Sequence, residues 1–442
     1  MRKILTILLV TFIFFSSEMM LAEETDNHHS FDEIEKINAS IEKYDLNWSA
    51  SVTSRSFSSI KPSCFFTEEI DVNQTFISSN IVTYDEFDWR NYNGFDWTTS
   101  IKDQKSCGSC WAFGTLAALE SCLKIWTNNP TQDIDLSEQY MLSCSPGGCD
   151  GWYELQTLRW LKSNGAISES CFQYRASDRS PCEYKCDDWR DELVSISAYK
   201  RVSGFGSTKI NTIQDALITY GPLPAGMKVY DSFYHYNHGI YEPLPSDDFS
   251  GDHLISIVGF KNTGAGNGYW ICKNSWGEDW GETNFYDSQN SGGWFRIAYN
   301  TCDIEDYVYL YEGINHPPGL TKILSGITEG RAGQSYSYSV KVKDDDGNRV
   351  KYCFDWGDGN ESWSDYVEQD EQLTSEYSWE KGKRGEENQY TLRVKAVDES
   401  GFAGEWSDPL IIVMKTPWIE NHEMTLFERI MTFFPFLGFL NR

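Results

Sequence analysis

The stretch Gln104-Lys105-Ser106-Cys107-Gly108-Ser109-Cys110-Trp111 constrains this chain more than any other, because it sets a cysteine at the start of a helix-period run. Leu116, Leu119, Leu123 and Trp126 recur at helical spacing after it, which predicts a helix from Cys110 to about Trp126, stopped by Asn128-Asn129-Pro130. A thiol at a helix N-terminus sees the positive end of the macrodipole, which favours thiolate. Far downstream, His253 precedes the apolar run Leu254-Ile255-Ser256-Ile257-Val258-Gly259, and Asn274 follows Tyr269-Trp270-Ile271-Cys272-Lys273. Both runs read as buried strands. Pairing them antiparallel would bring the imidazole and the amide to one end of a sheet, facing the helix that carries Cys110. Taken singly, each residue has a bland reading: a disulfide half, a structural histidine, a turn asparagine. Together with Gln104 as an oxyanion donor they make a set suited to acyl transfer.

The ends and the composition narrow the setting. Arg2 and Lys3 precede the apolar run Ile4 to Phe15, and Ala22 offers a small residue for cleavage, so residues 1–22 read as a secretory signal. A membrane span needs roughly 20 apolar residues, and Ser16, Ser17 and Glu18 cut this run short. Met20 is a poor residue at the −3 position, so the cut site stays open. Export implies a secreted, extracellular protein in an oxidising compartment where cysteines pair. The net charge of −29 argues against nucleic acid as a partner, since neutralising phosphates takes a Lys/Arg surplus. With 442 residues the chain exceeds one ordinary domain.

Along the chain, residues 23–82 are polar, with Phe31, Ile34, Ile37 and Ile41 stepping as an amphipathic helix would. Sequons at Asn38, Asn47 and Asn73 suit a surface segment. Residues 83–313 form an aromatic-rich, cysteine-rich block. Residues 314–320, with Pro317-Pro318-Gly319, read as a linker. Residues 321–415 then alternate apolar and polar in strand fashion at Ser335–Val342 and Tyr390–Val397, with turn chemistry between them at Trp356-Gly357-Asp358-Gly359. The tail, 416–442, carries an apolar face of Leu426, Phe427, Ile430, Met431 and Phe434 broken by Pro435. It is too short to span a bilayer and reads as a docked helix, a sorting tail or, with less support, a surface-lying segment.

Cys107-Gly108-Ser109-Cys110-Trp111 resembles the local signature of papain-like cysteine proteases, with a histidine and an asparagine following at family-like spacing. Asp88-Trp89-Arg90, Leu136-Ser137-Glu138-Gln139, Cys149-Asp150-Gly151, Gly221-Pro222, Gly239-Ile240-Tyr241 and Asn274-Ser275-Trp276-Gly277 extend the resemblance over residues 83–313. It implies an α+β fold: a two-lobed catalytic domain, one lobe helical and one β-rich. Cys110 would be the nucleophile, paired with His253. Asn274 would orient the imidazole, Trp276 would shield that bond, and Gln104 with the Cys110 N–H would bind the oxyanion. Gly108 and Gly151 would line the substrate cleft. Trp152 stands where the family often has a second glycine, and an indole there would reshape the non-primed side.

No metal or organic cofactor is implied. The substrates would be proteins or peptides, cut internally, since nothing resembles the paired histidines of a carboxydipeptidase loop. The same pattern suggests disulfides Cys107–Cys149 and Cys144–Cys182. Cys272 and Cys302 lie on strands expected to be neighbours and are candidates to pair. One of Cys122, Cys171 and Cys186 is then left over, and Cys353 reads as a free, buried thiol. Cys64 falls in the 23–82 segment, which by position is either a propeptide whose strand or loop crosses the cleft or a plain linker.

Phe354-Asp355-Trp356-Gly357-Asp358-Gly359 resembles the polycystic-kidney-disease (PKD) type of immunoglobulin-like sandwich. That implies a spacer, or a module binding a cell-surface protein or glycan, on a monomeric enzyme. Asp344-Asp345-Asp346-Gly347 reads as an acidic hairpin turn rather than a calcium site. The competing reading of the whole chain is a non-catalytic adhesin on a papain-like scaffold; the intact Cys110, His253, Asn274 and Gln104 weigh against it.

Overall fold

A computed structural model describes residues 31–56, 62–66, 75–78, 84–204, 207–264, 266–283, 292–380 and 387–416. The expected signal segment, residues 417–442 of the tail and residues 284–291 of the loop after Glu282 lie outside the described residues. The chain divides into two units at the expected proline-rich linker, residues 1–316 and 317–442.

In the first unit the cysteine-led helix forms as α2 (Cys110–Trp126). Nearly every residue of it is buried, including Leu116, Leu119 and Leu123. A helix apolar on all sides belongs inside a core. One side packs with α3 (Glu138–Cys144) and α4 (Glu154–Asn164), and the other lies against the sheet. Gly114 makes that approach possible: a Cβ there would sit 2.8 Å from the Leu254 carbonyl group.

The sheet has ten strands in the order β1-β8-β11-β10-β9-β7-β12-β6-β3, with β4 (Glu86–Asp88) pairing β9 off this path. The strands are β1 (Trp48–Ala50), β3 (Thr75–Phe76), β6 (Ser195–Val202), β7 (Leu223–Tyr230), β8 (Tyr236–Tyr241), β9 (Phe249–Gly264), β10 (Asn267–Lys273), β11 (Trp294–Ala298) and β12 (Tyr307–Asn315). The two runs flanked by His253 and Asn274 are β9 and β10. They pair antiparallel, Lys273 opposite Ser256. A fifth helix, α5 (Ser207–Tyr220), covers the sheet.

The expected amphipathic helix of the leading segment forms over residues 31–43 as α1. Ile34, Ile37 and Ile41 are buried in the sheet core together with Trp48. Phe31 departs from expectation: it is 60% exposed. The Asn38 sequon is used structurally, because its Nδ2 donates to the Ala50 carbonyl and its Oδ1 accepts the Ala50 N–H, both at 3.0 Å. Further on, β2 (Cys64–Phe65) forms a parallel two-stranded pair with β5 (Trp152–Tyr153).

Three disulfides are formed: Cys107–Cys149, Cys144–Cys182 and Cys171–Cys186. Cys122 is the thiol left over, and Cys353 is free and buried. The pairing considered for Cys272 and Cys302 is wrong: both are free. Cys302 lies past the end of β11, where its carbonyl accepts the N–H of Lys228 on β7 at 2.8 Å. Since β9 separates β7 from β10, the strand against which Cys302 lies is two strand spacings, roughly 9–10 Å, from the strand carrying Cys272. Disulfides do not bridge Cα atoms more than about 7 Å apart.

The second unit is an all-β sandwich. One sheet holds β13 (Lys322–Ser325), β15 (Tyr336–Lys341) and β18 (Leu373–Tyr377). The other holds β14 (Glu329–Arg331), β20 (Leu410–Lys415), β19 (Glu387–Asp398), β16 (Val350–Asp355) and β17 (Glu361–Trp363). Gly357, at φ 76°, makes the β16–β17 turn, and a Cβ there would strike the Thr391 backbone at 2.5 Å. The turn at Asp344 is closed by its own carboxylate, whose Oδ1 accepts the N–H groups of Asp346 and Asn348.

Candidate active site

The cysteine comes first. Cys107 is committed to Cys149, which leaves Cys110 as the free thiol of the pair. That disulfide holds the turn before α2 against the loop at 145–151, and the Gly108 N–H donates to the Cys149 carbonyl at 2.9 Å. A side chain at Gly108 would meet that carbonyl at 2.4 Å, so the position admits only glycine without a shift of the loop.

His253 sits within β9, opposite Met227 of β7. Its Nε2 donates to Asn274 Oδ1 at 2.8 Å. The same oxygen accepts the Ser275 N–H, which fixes the amide orientation and therefore the imidazole tautomer. Nδ1, then a lone pair, is buried with no hydrogen-bond partner among the described residues. Trp276 covers the imidazole at 5.0 Å between ring centroids and is itself stacked on Tyr234 at 5.3 Å.

The N–H of Leu254, the residue after His253, points at the Cys110 sulfur. Helix and strand thus meet where the sequence expects them to. Both reactive groups are fully buried, at 0% exposure. Burial pushes the Cys110 thiol up, against the N–H groups of Leu254, Ser63, Trp111 and Cys110 itself, which favour the thiolate. Burial also drives the His253 imidazole down to about 4, opposed by its bond to Asn274 and slightly aided by Arg55. In this covered state burial disfavours the charged form of both groups.

Gln104 lies beside them. Its Nε2 donates to the Cys107 carbonyl at 3.0 Å, which leaves its second N–H available to a ligand. Its Oε1 accepts from Ser275 Oγ at 2.7 Å, and its backbone N–H donates to the Ser275 carbonyl at 2.9 Å. Two positioning residues escaped the sequence reading. Ser275 sets which end of the Gln104 amide faces the cleft. Tyr174 OH donates to the Gln104 carbonyl at 2.9 Å and bonds Ser109 Oγ at 2.7 Å, tying Gln104 to the start of α2. Ser275 was visible in Asn274-Ser275-Trp276-Gly277; nothing in sequence pointed to Tyr174.

Behind the site, Lys102 bridges Glu120 of α2 at 2.9 Å and Glu138 of α3 at 3.0 Å, while Lys273 Nζ donates to Thr99 Oγ1. These buried charges hold the loop before Gln104 to both helices and to the strand end that presents Asn274. Trp152 packs edge-on against Trp111 at 5.2 Å, so its ring buttresses the start of α2.

Residues 62–66 lie across this site. A Cβ on Gly151, whose φ is 102°, would fall 1.8 Å from the Ser63 carbonyl, and one on Gly108 would meet the Ser63 side chain at 3.0 Å. On the approach, Arg55 pairs with Asp103 at 2.6 Å and donates to the Lys105 carbonyl at 2.8 Å. What Ser63 presents to the sulfur is its backbone N–H.

Residues 83–311 match the family model described as papain family cysteine protease. A cathepsin B-like protease of Giardia intestinalis, CP1, is 35% identical over 216 residues, 47% of this chain and 66% of its own length. Among solved structures, a recombinant stem bromelain precursor matches at 23% identity and a TM-score of 0.50, over 64% of this chain and 89% of that one, a likeness of fold. A PKD domain from an M14-like peptidase of a Thermoplasmatales archaeon matches 23% of this chain and 98% of its own, at 25% identity and a TM-score of 0.20. With the family model matched over more than half of its residues, the chain belongs to the papain family of cysteine proteases.

Proposed function

We propose that this chain is the zymogen of an exported cysteine endopeptidase, carrying its own inhibitory segment and a C-terminal sandwich that spaces or tethers it. The observation that supports this most is the Cys110 sulfur facing the Leu254 N–H of β9 while His253 is oriented by Asn274, all beneath residues 62–66. Once that segment leaves, water reaches the pair and the proton moves from Cys110 to His253 Nδ1. The thiolate attacks a peptide carbonyl carbon, and the oxyanion is held by the free Gln104 N–H and the Cys110 backbone N–H. His253 gives its proton to the leaving amine, then takes one from the water that hydrolyses the thioacyl-enzyme.

Phe66 supports a reading of the substrate. Its ring stacks on Tyr307 at 4.4 Å, and it occupies the room left by Gly226, where a Cβ would lie 2.4 Å away. A peptide with an aromatic side chain near the cut bond would fill the same space. Cleavage of a peptide library by the processed protein is expected to enrich an aromatic at one fixed non-primed position, with enrichment falling in Gly226→Val. A flat profile at every position would reject this substrate preference.

A further inference from the structure

Blocking the cleft needs no thiol. Ser63 meets Gly151 through its carbonyl and Gly108 through its side chain, and β2 pairs with Trp152 through its backbone. Yet the next residue is a cysteine. Cys64 is free and 1% exposed, and it belongs to the same apolar cluster as Cys110, Trp111 and Leu254. Ser63 touches the Cys110 sulfur through its N–H, and Cys64 is one residue further on, a Cα step of about 3.8 Å. Disulfides bridge Cα atoms about 4.4–6.8 Å apart, so the two cysteines stand in the right neighbourhood. Among the neighbouring titratable groups, Cys110 acts most strongly on the Cys64 thiol, ahead of Glu154 and Asp252. By contrast, Cys272 and Cys302 sit in the separate sheet core, away from the cleft. The three disulfides already formed mark a protein that folds where thiols are oxidised.

We propose that Cys64 and Cys110 join in a disulfide that holds the leading segment covalently in the cleft, so that the zymogen is latched by oxidation and released by reduction. This rests on reading residues 62–66 as the inhibitory segment of a thiol protease. The oxidant is a low-molecular-weight disulfide of the glutathione type. One protein thiolate attacks a sulfur of that disulfide, its S–S bond breaks, and the first small thiolate leaves. The second cysteine then attacks the protein sulfur of the mixed disulfide and expels the second. The two protein thiols lose two protons and two electrons, and the small disulfide becomes two thiols. Release is the reverse, driven by a small thiol or dithiol. Two consequences follow: the nucleophile is capped, and a cut elsewhere in the leading segment leaves the blocking peptide tethered. Activation then requires a reductant as well as a protease.

The test uses the full chain prepared without added thiol, quenched with N-ethylmaleimide and digested for mass spectrometry before and after reduction. The expected result is a reduction-sensitive peptide joining Cys64 to Cys110, absent in Cys64→Ser and Cys64→Ala. Nicked wild-type protein should gain at least tenfold in peptide hydrolysis on adding a dithiol, and both variants should gain little. Circular dichroism verifies that the variants fold, and the wild-type peptide map decides even where they do not. Both cysteines recovered as maleimide adducts from the oxidised chain would overturn the latch. Absence of hydrolysis from processed, fully reduced protein would instead remove the protease reading, with the crosslink still read by the map.

Discussion

Cys110→Ala is expected to lower peptide hydrolysis by the processed, reduced enzyme by about four orders of magnitude or more, leaving the fold intact. The size follows from chemistry. Without the sulfur there is no thioacyl intermediate, and the oxyanion donors can assist only an unactivated water. The fold should tolerate the change because alanine keeps the Cβ at a buried helix start and removes one atom, and Cys110 is in no disulfide. Thermal melting of the variant should stay within a few degrees of wild type. Turnover within tenfold of wild type would remove Cys110 from the mechanism, and an unfolded variant would mean that the thiol is structural.

Gln104→Ala is expected to reduce kcat about 10²–10³-fold with a much smaller effect on KM, the signature of a donor that matters when charge develops on oxygen. The side chain is well placed for this. One N–H is held by the Cys107 carbonyl, and Oε1 is pinned by Ser275, so the remaining N–H has a fixed direction. Ser275→Ala frees Oε1 and is expected to reproduce a smaller part of the loss, because it loosens the amide without removing it. A Gln104→Ala enzyme with unchanged kcat would place the oxyanion donor elsewhere. An effect confined to KM would make Gln104 a binding group only.

The parts of this molecule legible in sequence are those where local pattern and fold agree. The 3.6-residue period after Cys110 marks α2, and the apolar runs beside His253 and Asn274 mark β9 and β10. Those three elements carry the thiol, imidazole and amide, so much of the site was readable before any coordinate. The alternating stretches at 335–342 and 390–397 likewise became β15 and β19. What escaped depends on partners distant in the chain. The Cys272–Cys302 pairing failed because sequence orders strands in time, whereas β9 lies between β10 and β7 in space. Tyr174 sits in an irregular loop with no period, and only its hydroxyl contacts reveal it. The cleft-crossing strand is two residues long, too short for any periodicity.

The claim on which all of this depends is that Cys110 becomes an activated thiolate once residues 62–66 are gone. An epoxide-type thiol reagent, added at pH 6 to processed and reduced protein, reads it directly by intact mass and peptide mapping. One equivalent of label is expected on Cys110, formed at least a hundredfold faster than on the free thiols Cys122 and Cys353, with activity lost in parallel. Equal labelling of the three thiols, or full activity after Cys110 is modified, would contradict it.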